Sequence, residues 1–328
     1  MSKQTRNLLM LLLFLCVILF LCPMIGRSFI PWSTLFSGPG VEHDIFVKTR
    51  LPRLLLAVLV GSALACSGAV FQSVFRNALA TPYTVGTASG GTFGAVIVVF
   101  FGLDFSFSGF STVTVAAFLG ALLSVSVVYA LGRHRGGLTT STMLLAGVTI
   151  GFFFSALTMF FHYLMDYTQS HRMLVWTMGS LEITEYGSIA KIAPFILVSL
   201  FFIVRMGRDY NQLCLGEDIA RTRGVETERV KKISFVLTSV MVGAAVSVTG
   251  PIGFVGLIVP HMLRMTIGPD YRVLLPASVL GGGAFLALCD TLARMLIAPS
   301  EMPVGVITAM LGGPFFIFLL LRRTAENF

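Results

Sequence analysis

Long apolar runs without a charge recur along this chain of 328 residues and constrain its fold more than any other feature. A helix needs roughly 20 apolar residues to cross the hydrocarbon core of a bilayer. Nine runs approach or exceed that length, at 8–25, 54–75, 77–103, 105–132, 136–161, 186–204, 233–260, 273–293 and 302–321. Seven are free of charge, whereas 186–204 contains Lys191 and 273–293 contains Asp290. Charged residues make up 12% of the chain, against roughly 25% in soluble domains. A soluble enzyme and a disordered chain are therefore disfavoured, and an all-α polytopic membrane protein is predicted.

One of these runs decides the number of crossings. Residues 233–260 contain the helix breaker Gly250-Pro251-Ile252-Gly253, so the chain either crosses once there or crosses and returns by a short helix. With a cytoplasmic N-terminus, the second alternative divides the 23 Lys and Arg residues into 16 inside and 7 outside. Because positive charges concentrate in cytoplasmic loops, that alternative is favoured. About ten transmembrane helices follow, with both termini cytoplasmic, and the net charge of +8 requires no nucleic acid.

The loops between ten spans are short, which predicts one transmembrane domain over residues 1–328. Small residues recur inside the spans, and Gly86, Gly90 and Gly94 lie four residues apart on one helix face. Small residues allow helix backbones to approach closely in membranes, so tight packing is the expected role. The five cysteines are scattered and form no metal or disulfide pattern, and no metal site is predicted.

No catalytic or nucleotide-binding pattern is present in the sequence. There is no GxxxxGK[ST] loop, because none of the five lysines follows a glycine. Transport driven by ATP would therefore need a separate ATPase subunit. His162, Asp166 and His171 lie near one outer boundary and are interpreted as solvated polar surface.

Charge inside the spans is nearly absent, which matters for the mechanism. Asp290 lies within a span, and Arg294 follows one turn later, so an i,i+4 ion pair is predicted. Ion-coupled transporters usually carry more ionisable groups in their spans. An ion-coupled secondary transporter is therefore the less favoured alternative.

Two polar regions call for a functional explanation. In the cytoplasmic loop 205–232, Gly216 and Gly224 bracket a short stretch that opens with acids and closes with arginines, as a helix dipole favours. So short a helix is marginal alone and would be stabilised by docking on a partner. On the outer side, Lys48, Arg50 and Arg53 violate the positive-inside rule, and an acidic partner would account for them.

These regions carry a resemblance that covers nearly the whole chain. The sequence resembles the permease subunit of type II ABC importers, the FecCD-type family that carries iron–siderophores, haem and cobalamin. The matching motifs are Arg50-Leu51-Pro52-Arg53, Ser67-Gly68 with Gln72, 76–82 with Ala78 in place of the usual proline, 144–148, Leu215-Gly216-Glu217 with Ala220 and Gly224, 250–257 with Pro260-His261, 301–305 and 312–316.

The resemblance implies specific partners and sites. It implies a homodimer of ten-span subunits in the bacterial or archaeal cytoplasmic membrane, in contact with lipid. Two ABC ATPase subunits would carry ATP and Mg, leaving no cofactor on this chain, and a substrate-binding protein would dock outside. The implied residues are Leu215, Gly216, Glu217, Ala220 and Gly224 for ATPase coupling, Arg50, Arg53 and Arg294 for binding-protein docking, and Asn77, Leu79, Thr140 and Ser141 for the cytoplasmic gate.

The implied activity is transport by alternating access rather than catalysis. The cargo would be a metal chelate, with iron–siderophore as the first expectation and haem or cobalamin next. A conduit with few fixed charges suits such cargo, because a strong fixed site would trap it.

Overall fold

The computed structural model describes residues 3–26, 28–36, 38, 40–103, 105–107, 109–134, 140–181, 185–297 and 300–325. The helices of that part of the chain are α1 (Lys3–Leu21), α2 (Val41–Ile45), α3 (Leu51–Val74), α4 (Thr87–Phe100), α5 (Thr112–His134), α6 (Thr140–Leu164), α7 (Tyr167–Thr177), α8 (Tyr186–Arg205), α9 (Gly207–Leu215), α10 (Glu217–Thr222), α11 (Thr227–Thr249), α12 (Val255–Ile267), α13 (Tyr271–Leu296) and α14 (Val304–Ala325). A small antiparallel hairpin, β1 (Ser106–Phe107) and β2 (Phe110–Ser111), precedes α5.

The helices account for the predicted number of spans. Within the described ranges, seven helical segments are long and apolar enough to cross a membrane, and α2 and α3 count as one of them through a π-helical turn at Phe46–Arg50. Three shorter apolar helices, α4, α12 and α14, bring the total to ten. The fold is therefore an all-α polytopic membrane protein, as predicted.

The helix break decides the path of the run at 233–260. Helix α11 ends at Thr249 and α12 begins at Val255. Gly250 has a φ of +68° and Phe254 a φ of +66°, so the backbone leaves the helical region at both ends of the break. The alternative with two helices is confirmed.

The run at 77–103 follows a different course from the single span expected. Residues after Arg76, which has a φ of +47°, form an irregular segment with a 3₁₀ turn at Pro82–Val85, and α4 begins only at Thr87. Pro82 starts this turn and Gly86 ends it at a φ of +83°. The turn residues shorten the helix although the run is apolar throughout.

Helix packing in the core depends on backbone contacts at glycines. A Cβ atom on Gly90 or Gly94 of α4 would collide with the carbonyl oxygen of Gly120 or Ala116 on α5. In the same way, Gly61 of α3 lies directly against the backbone of Gly282 on α13. The predicted packing role is confirmed for Gly90 and Gly94. Gly86 precedes α4 at a φ of +83° and does not share the helix face predicted for it.

Burial separates a central helix from peripheral ones. About 83% of the apolar window containing α3 is buried within the chain, against 11% for α6. The α3 helix is thus the core of the subunit. The α6 helix turns most of its surface away from the other described helices.

The segment between α6 and α8, which is predicted to lie outside, contains α7. The Asp166 carboxylate caps this helix by accepting a hydrogen bond from the Gln169 backbone amide at 2.8 Å. His162 lies 3.4 Å from the Ser170 hydroxyl, and the exposed His171 ring stacks on Tyr167. The trio thus serves a helix cap and local surface contacts, in keeping with the sequence interpretation.

Candidate coupling, gating and docking sites

The short helix predicted in loop 205–232 is present as α10. Gly216 precedes it with a φ of +122°, and Gly224 follows it with a φ of +84°. Glu217 and Asp218 lie in its first turn and Arg221 in its last, which complements the helix dipole. The glycines permit the sharp turns that set α10 apart from α9 and α11.

The α10 helix has one face turned inward and one face exposed. Ala220 is completely buried, and the Glu217 carboxylate lies 2.6 Å from the ammonium group of Lys231 on α11. Asp218, Ile219 and Arg223 are exposed. The side chains of Glu217 and Ala220 thus face the subunit itself, and their role in ATPase coupling stays a prediction.

The remaining predicted coupling residues lie at the edges of this exposed face. Leu215 is exposed at the end of α9, and Gly224 is exposed after the last turn of α10. The surface available to a partner therefore comprises Leu215, Gly224 and the outward side chains of α10, and we refer to it as the α10 face.

A hydrogen-bonded clamp holds α9 beneath the bundle. Asn211 donates to the Asp270 carboxylate at 2.7 Å, and its amide oxygen accepts from the Tyr271 backbone amide at 2.8 Å. Hydrogen bonds from Arg272 hold the pKa of Asp270 well below its usual range. At the other side of α9, the Tyr210 hydroxyl lies 2.8 Å from that of Ser234. The clamp ties the loop that bears α10 to α11 and α13.

The predicted gate residues occupy two neighbouring segments. The Asn77 side chain accepts a hydrogen bond from the Leu79 backbone amide at 2.9 Å, which leaves Leu79 exposed in a tight turn. Ser141 is exposed in the first turn of α6, and the Thr140 side chain lies outside the described part of the structure. The segment that follows Leu79 packs on α6, where a Cβ on Gly147 would collide with the Thr84 carbonyl oxygen.

The three outer arginines are engaged inside the chain. Arg50 is buried, and its guanidinium donates to the carbonyl oxygens of Pro23, Met24 and Ser28 at 2.9, 3.0 and 2.7 Å. The Arg294 guanidinium lies 3.2 Å from the Asp290 carboxylate, which confirms the predicted i,i+4 pair.

Arg53 completes a buried charge cluster. Its side chain is 3% exposed, and it donates to Asp290 at 2.7 Å and to the half-exposed Glu301. Two cations thus share Asp290, and Glu301 adds a second acid. The acids that neutralise Arg53 thus belong to the same chain, whereas the Arg50 guanidinium is held by backbone carbonyl oxygens. The docking of a binding protein at these arginines stays a prediction.

Of the three clustered cations Lys48, Arg50 and Arg53, only Lys48 is exposed. Lys48 is 70% exposed and pairs with Asp44 at 2.9 Å, one helical turn away. The positive charges of Lys48 and Arg53 are therefore paired within the chain. The ion pairs of Arg53 could not be predicted from the sequence, because Asp290 and Glu301 are 237 and 248 residues away from it.

The helix break at Gly250–Phe254 is stabilised by Tyr83, a residue that the sequence analysis did not single out. The Tyr83 hydroxyl donates to the Ile252 carbonyl at 2.8 Å and accepts from the Ile252 amide at 2.9 Å. The Ser180 amide donates to the Thr249 carbonyl at 2.8 Å. Unwound backbone within a membrane must find such partners in the protein.

The break also contacts the last helix. A Cβ on Gly312 of α14 would collide with the Phe254 ring, and Gly305 packs on the backbone of Met178 after α7. Segments from α3–α4, α7, α11–α12 and α14 therefore meet at the break. A change in the backbone at Gly250–Phe254 would therefore alter the contacts of each of these segments.

This ten-span bundle, with a helix broken at its centre and a short exposed helix at one end, defines the chain as a membrane permease. A family model described as the FecCD transport family matches residues 11–322. The chain belongs to the FecCD transport family, and the resemblance seen in the motifs is confirmed. As a member, it is a permease subunit of an ABC importer, and ATP hydrolysis belongs to a separate subunit.

Individual relatives agree with the family assignment. The chain is 40% identical over 329 residues to the hemin transport system permease protein HmuU of Yersinia pestis, covering 99% of this chain and 98% of the relative. It is 40% identical to the cobalamin import system permease protein BtuC of Halobacterium salinarum, over 90% of this chain and 80% of that protein. A solved inward-facing structure of a metal-chelate type ABC transporter superposes with a TM-score of 0.85 at 29% identity, covering 97% of this chain and 99% of that one.

Proposed function

We propose that two copies of this chain form the transmembrane pathway of a type II importer that carries a metal chelate into the cytoplasm. A binding protein would deliver the chelate from outside, and two ABC ATPase subunits, binding ATP and Mg, would drive alternating access. The observation that carries the proposal is the α10 face: an exposed short helix whose opposite side is fixed to the bundle.

The α10 face suits an ATPase subunit because it joins apolar and charged contacts. Ile219 is 45% exposed and stands between the exposed Asp218 and Arg223. An apolar side chain with charges around it is the usual composition of a docking site. A helix of six residues is marginally stable alone, and binding to a partner would stabilise it.

The α6 helix supports a homodimer. Its exposed side carries Phe152, Met159 and Tyr163, together with the exposed polar residues Ser141 and Thr149. The Thr149 hydroxyl donates to the Leu145 carbonyl oxygen at 2.9 Å within α6. Its free acceptor capacity and the exposed Ser141 hydroxyl would gain more from a second subunit or a hydrated pathway than from lipid. We therefore place α6 at the dimer interface, next to the proposed gate at Asn77, Leu79, Thr140 and Ser141.

The binding protein would dock on the outer end of the bundle. Arg53 and Arg294 pair with acids of the same chain, and Arg50 is hydrogen-bonded to backbone carbonyl oxygens, so these three arginines would hold the shape of the docking surface. The orientation follows the positive-inside rule, with both termini cytoplasmic.

The cargo is proposed at the level of a chemical class. HmuU is named for hemin and BtuC for cobalamin, and both are 40% identical to this chain. Both cargoes are large metal chelates. The sequence-based order of iron–siderophore, then haem, then cobalamin is tested by offering each to the reconstituted complex.

The assembly of the importer can be tested through the α10 face. The chain is expressed with a candidate ABC ATPase subunit, and the complex is isolated in detergent. We expect Ile219→Asp to abolish co-purification, because the change places a charge in the apolar part of the docking surface. Val41→Asp is the matched control, since Val41 is 79% exposed at the opposite end. Equal co-purification of both variants with the wild type would contradict the proposed docking site.

A further inference from the structure

A buried lysine lies directly beneath α10. The Lys231 side chain is 4% exposed, and its ammonium group lies 2.6 Å from the Glu217 carboxylate, which is 24% exposed. Lysine is seldom buried so fully unless its charge is paired. Lys232, the next residue, is exposed. The burial of Lys231 is therefore specific to the side of α11 that faces α10.

A second contact fixes the other end of α10 to the same helix. The Arg221 guanidinium donates to the buried Thr227 hydroxyl at 3.0 Å, at the start of α11. Glu228 lies 3.7 Å from Lys231 and is more than half exposed, so it is the weaker partner. The short helix is thus attached at both ends to the first two turns of α11, and its strongest attachment is the Glu217–Lys231 pair.

The α11 helix leads from this attachment to the centre of the molecule. It has 23 residues, which corresponds to about 34 Å at 1.5 Å per residue. Its far end is the break at Gly250–Phe254, where the Tyr83 contact and the Phe254–Gly312 contact are located. A helix of this length is stiff, so a displacement at its first turns is transmitted to the break.

We propose that Lys231 is a positioning residue for transport. Paired with Glu217, it makes α10 and α11 move as one body, so that movement of α10 imposed by an ATPase reaches the helix break. The inference rests on the proposed function, because it requires an ATPase on the α10 face. It assigns Glu217 the role of an internal anchor, while Ile219 and its exposed neighbours make the external contact.

The test measures coupling separately from assembly. The complete complex is reconstituted in proteoliposomes with its ATPase and binding protein. Haemin, cyanocobalamin and ferric hydroxamate are offered, and chelate transported per ATP hydrolysed is recorded for the one that the wild type carries. We expect Lys231→Met to assemble and hydrolyse ATP, because the α10 face is unchanged. The ratio of transport to hydrolysis should fall by about tenfold, within the usual range of coupling between sites.

Matched variants identify the ion pair as the cause. Lys232→Met removes the same charge from the exposed neighbour and should leave the ratio unchanged. The charge swap Glu217→Lys with Lys231→Glu should restore the ratio to within about threefold of wild type, because it re-forms the buried pair in the opposite order. If Lys231→Met is not produced in folded form, Glu217→Gln should lower the ratio and Lys231→Arg should preserve it.

Two results would overturn the inference. One is a Lys231→Met complex, or where that variant does not fold a Glu217→Gln complex, with the wild-type ratio. The other is a charge-swap complex that assembles and hydrolyses ATP but remains uncoupled. A wild-type chain that never associates with an ATPase would instead refute the proposed function, so the two failures are distinguishable.

Discussion

Arg53 joins three separate segments at the outer end of the molecule. It lies on α3 and contacts Asp290 on α13 and Glu301 just before α14. A buried charge that loses its partner is far more costly than an exposed one, because water no longer compensates it. The cluster thus holds the ends of three spans in register.

Replacement of Arg53 tests this role. We expect Arg53→Met to lower the free energy of unfolding by about 3–5 kcal/mol, since it leaves Asp290 and Glu301 with one cation fewer. Lys48→Met removes an exposed cation that is paired with Asp44, and should cost at most about 1 kcal/mol. Thermal unfolding in detergent compares the two. Equal stability of the two variants would show that the cluster has no structural role.

The Tyr83 hydroxyl has an equally specific role at the helix break. Tyr83→Phe removes one oxygen and leaves both the amide and the carbonyl of Ile252 without their partner. We expect a loss of about 1–3 kcal/mol, the usual cost of buried polar groups left unsatisfied. Tyr167→Phe is the control, because Tyr167 on α7 is 86% exposed. An unchanged unfolding temperature for Tyr83→Phe would mean that the break does not depend on this contact.

At the level of elements, the close approach of α4 and α5 is set by glycines rather than by large side chains. Gly94 packs on the Ala116 carbonyl, and Gly120 packs on the Gly90 carbonyl. Backbones in direct contact gain dispersion energy along the whole crossing. Any side chain at these positions must push the helices apart.

A pair of glycine variants tests the packing. Gly94→Ala should destabilise the bundle by roughly 1–3 kcal/mol, the usual cost of overpacking, because its Cβ collides with rigid backbone. Gly187→Ala on α8 has no atom within 4 Å of its added Cβ, and should be neutral or stabilising. Unfolding in detergent with rising denaturant measures both. A Gly94→Ala variant as stable as Gly187→Ala would contradict the close-packed crossing.

The sequence predicted elements better than it predicted contacts. The break at Gly250–Gly253 and the short helix between Gly216 and Gly224 were predictable, because turn residues and charges mark them locally. The pairing of Asp290 with Arg294 was also local, at one helical turn. The partners of Arg53 and Lys231 were not, since spans distant in sequence or loops of unknown direction bring them together. The same limit explains why the inward contacts of Glu217 and Ala220 were not predicted.

At the scale of the whole molecule, the α10 face, the α11 helix with its break, and the charge cluster around Arg53 connect the two ends of the subunit. The α10 face lies at one end, α11 leads to the break, and the outer charge cluster fixes α3, α13 and the start of α14 at the other end. Alternating access requires two states that the cargo and nucleotide stabilise differently. In our account, α10 receives the nucleotide signal and the break converts it into a change of the pathway.

The most direct test is uptake into proteoliposomes that contain the chain, its ATPase and its binding protein. The account predicts uptake of a metal chelate that requires ATP and persists when proton and sodium gradients are abolished by ionophores. A catalytically inactive ATPase subunit should abolish it. Uptake driven by an ion gradient in liposomes that lack the ATPase would contradict the account and establish a secondary transporter instead.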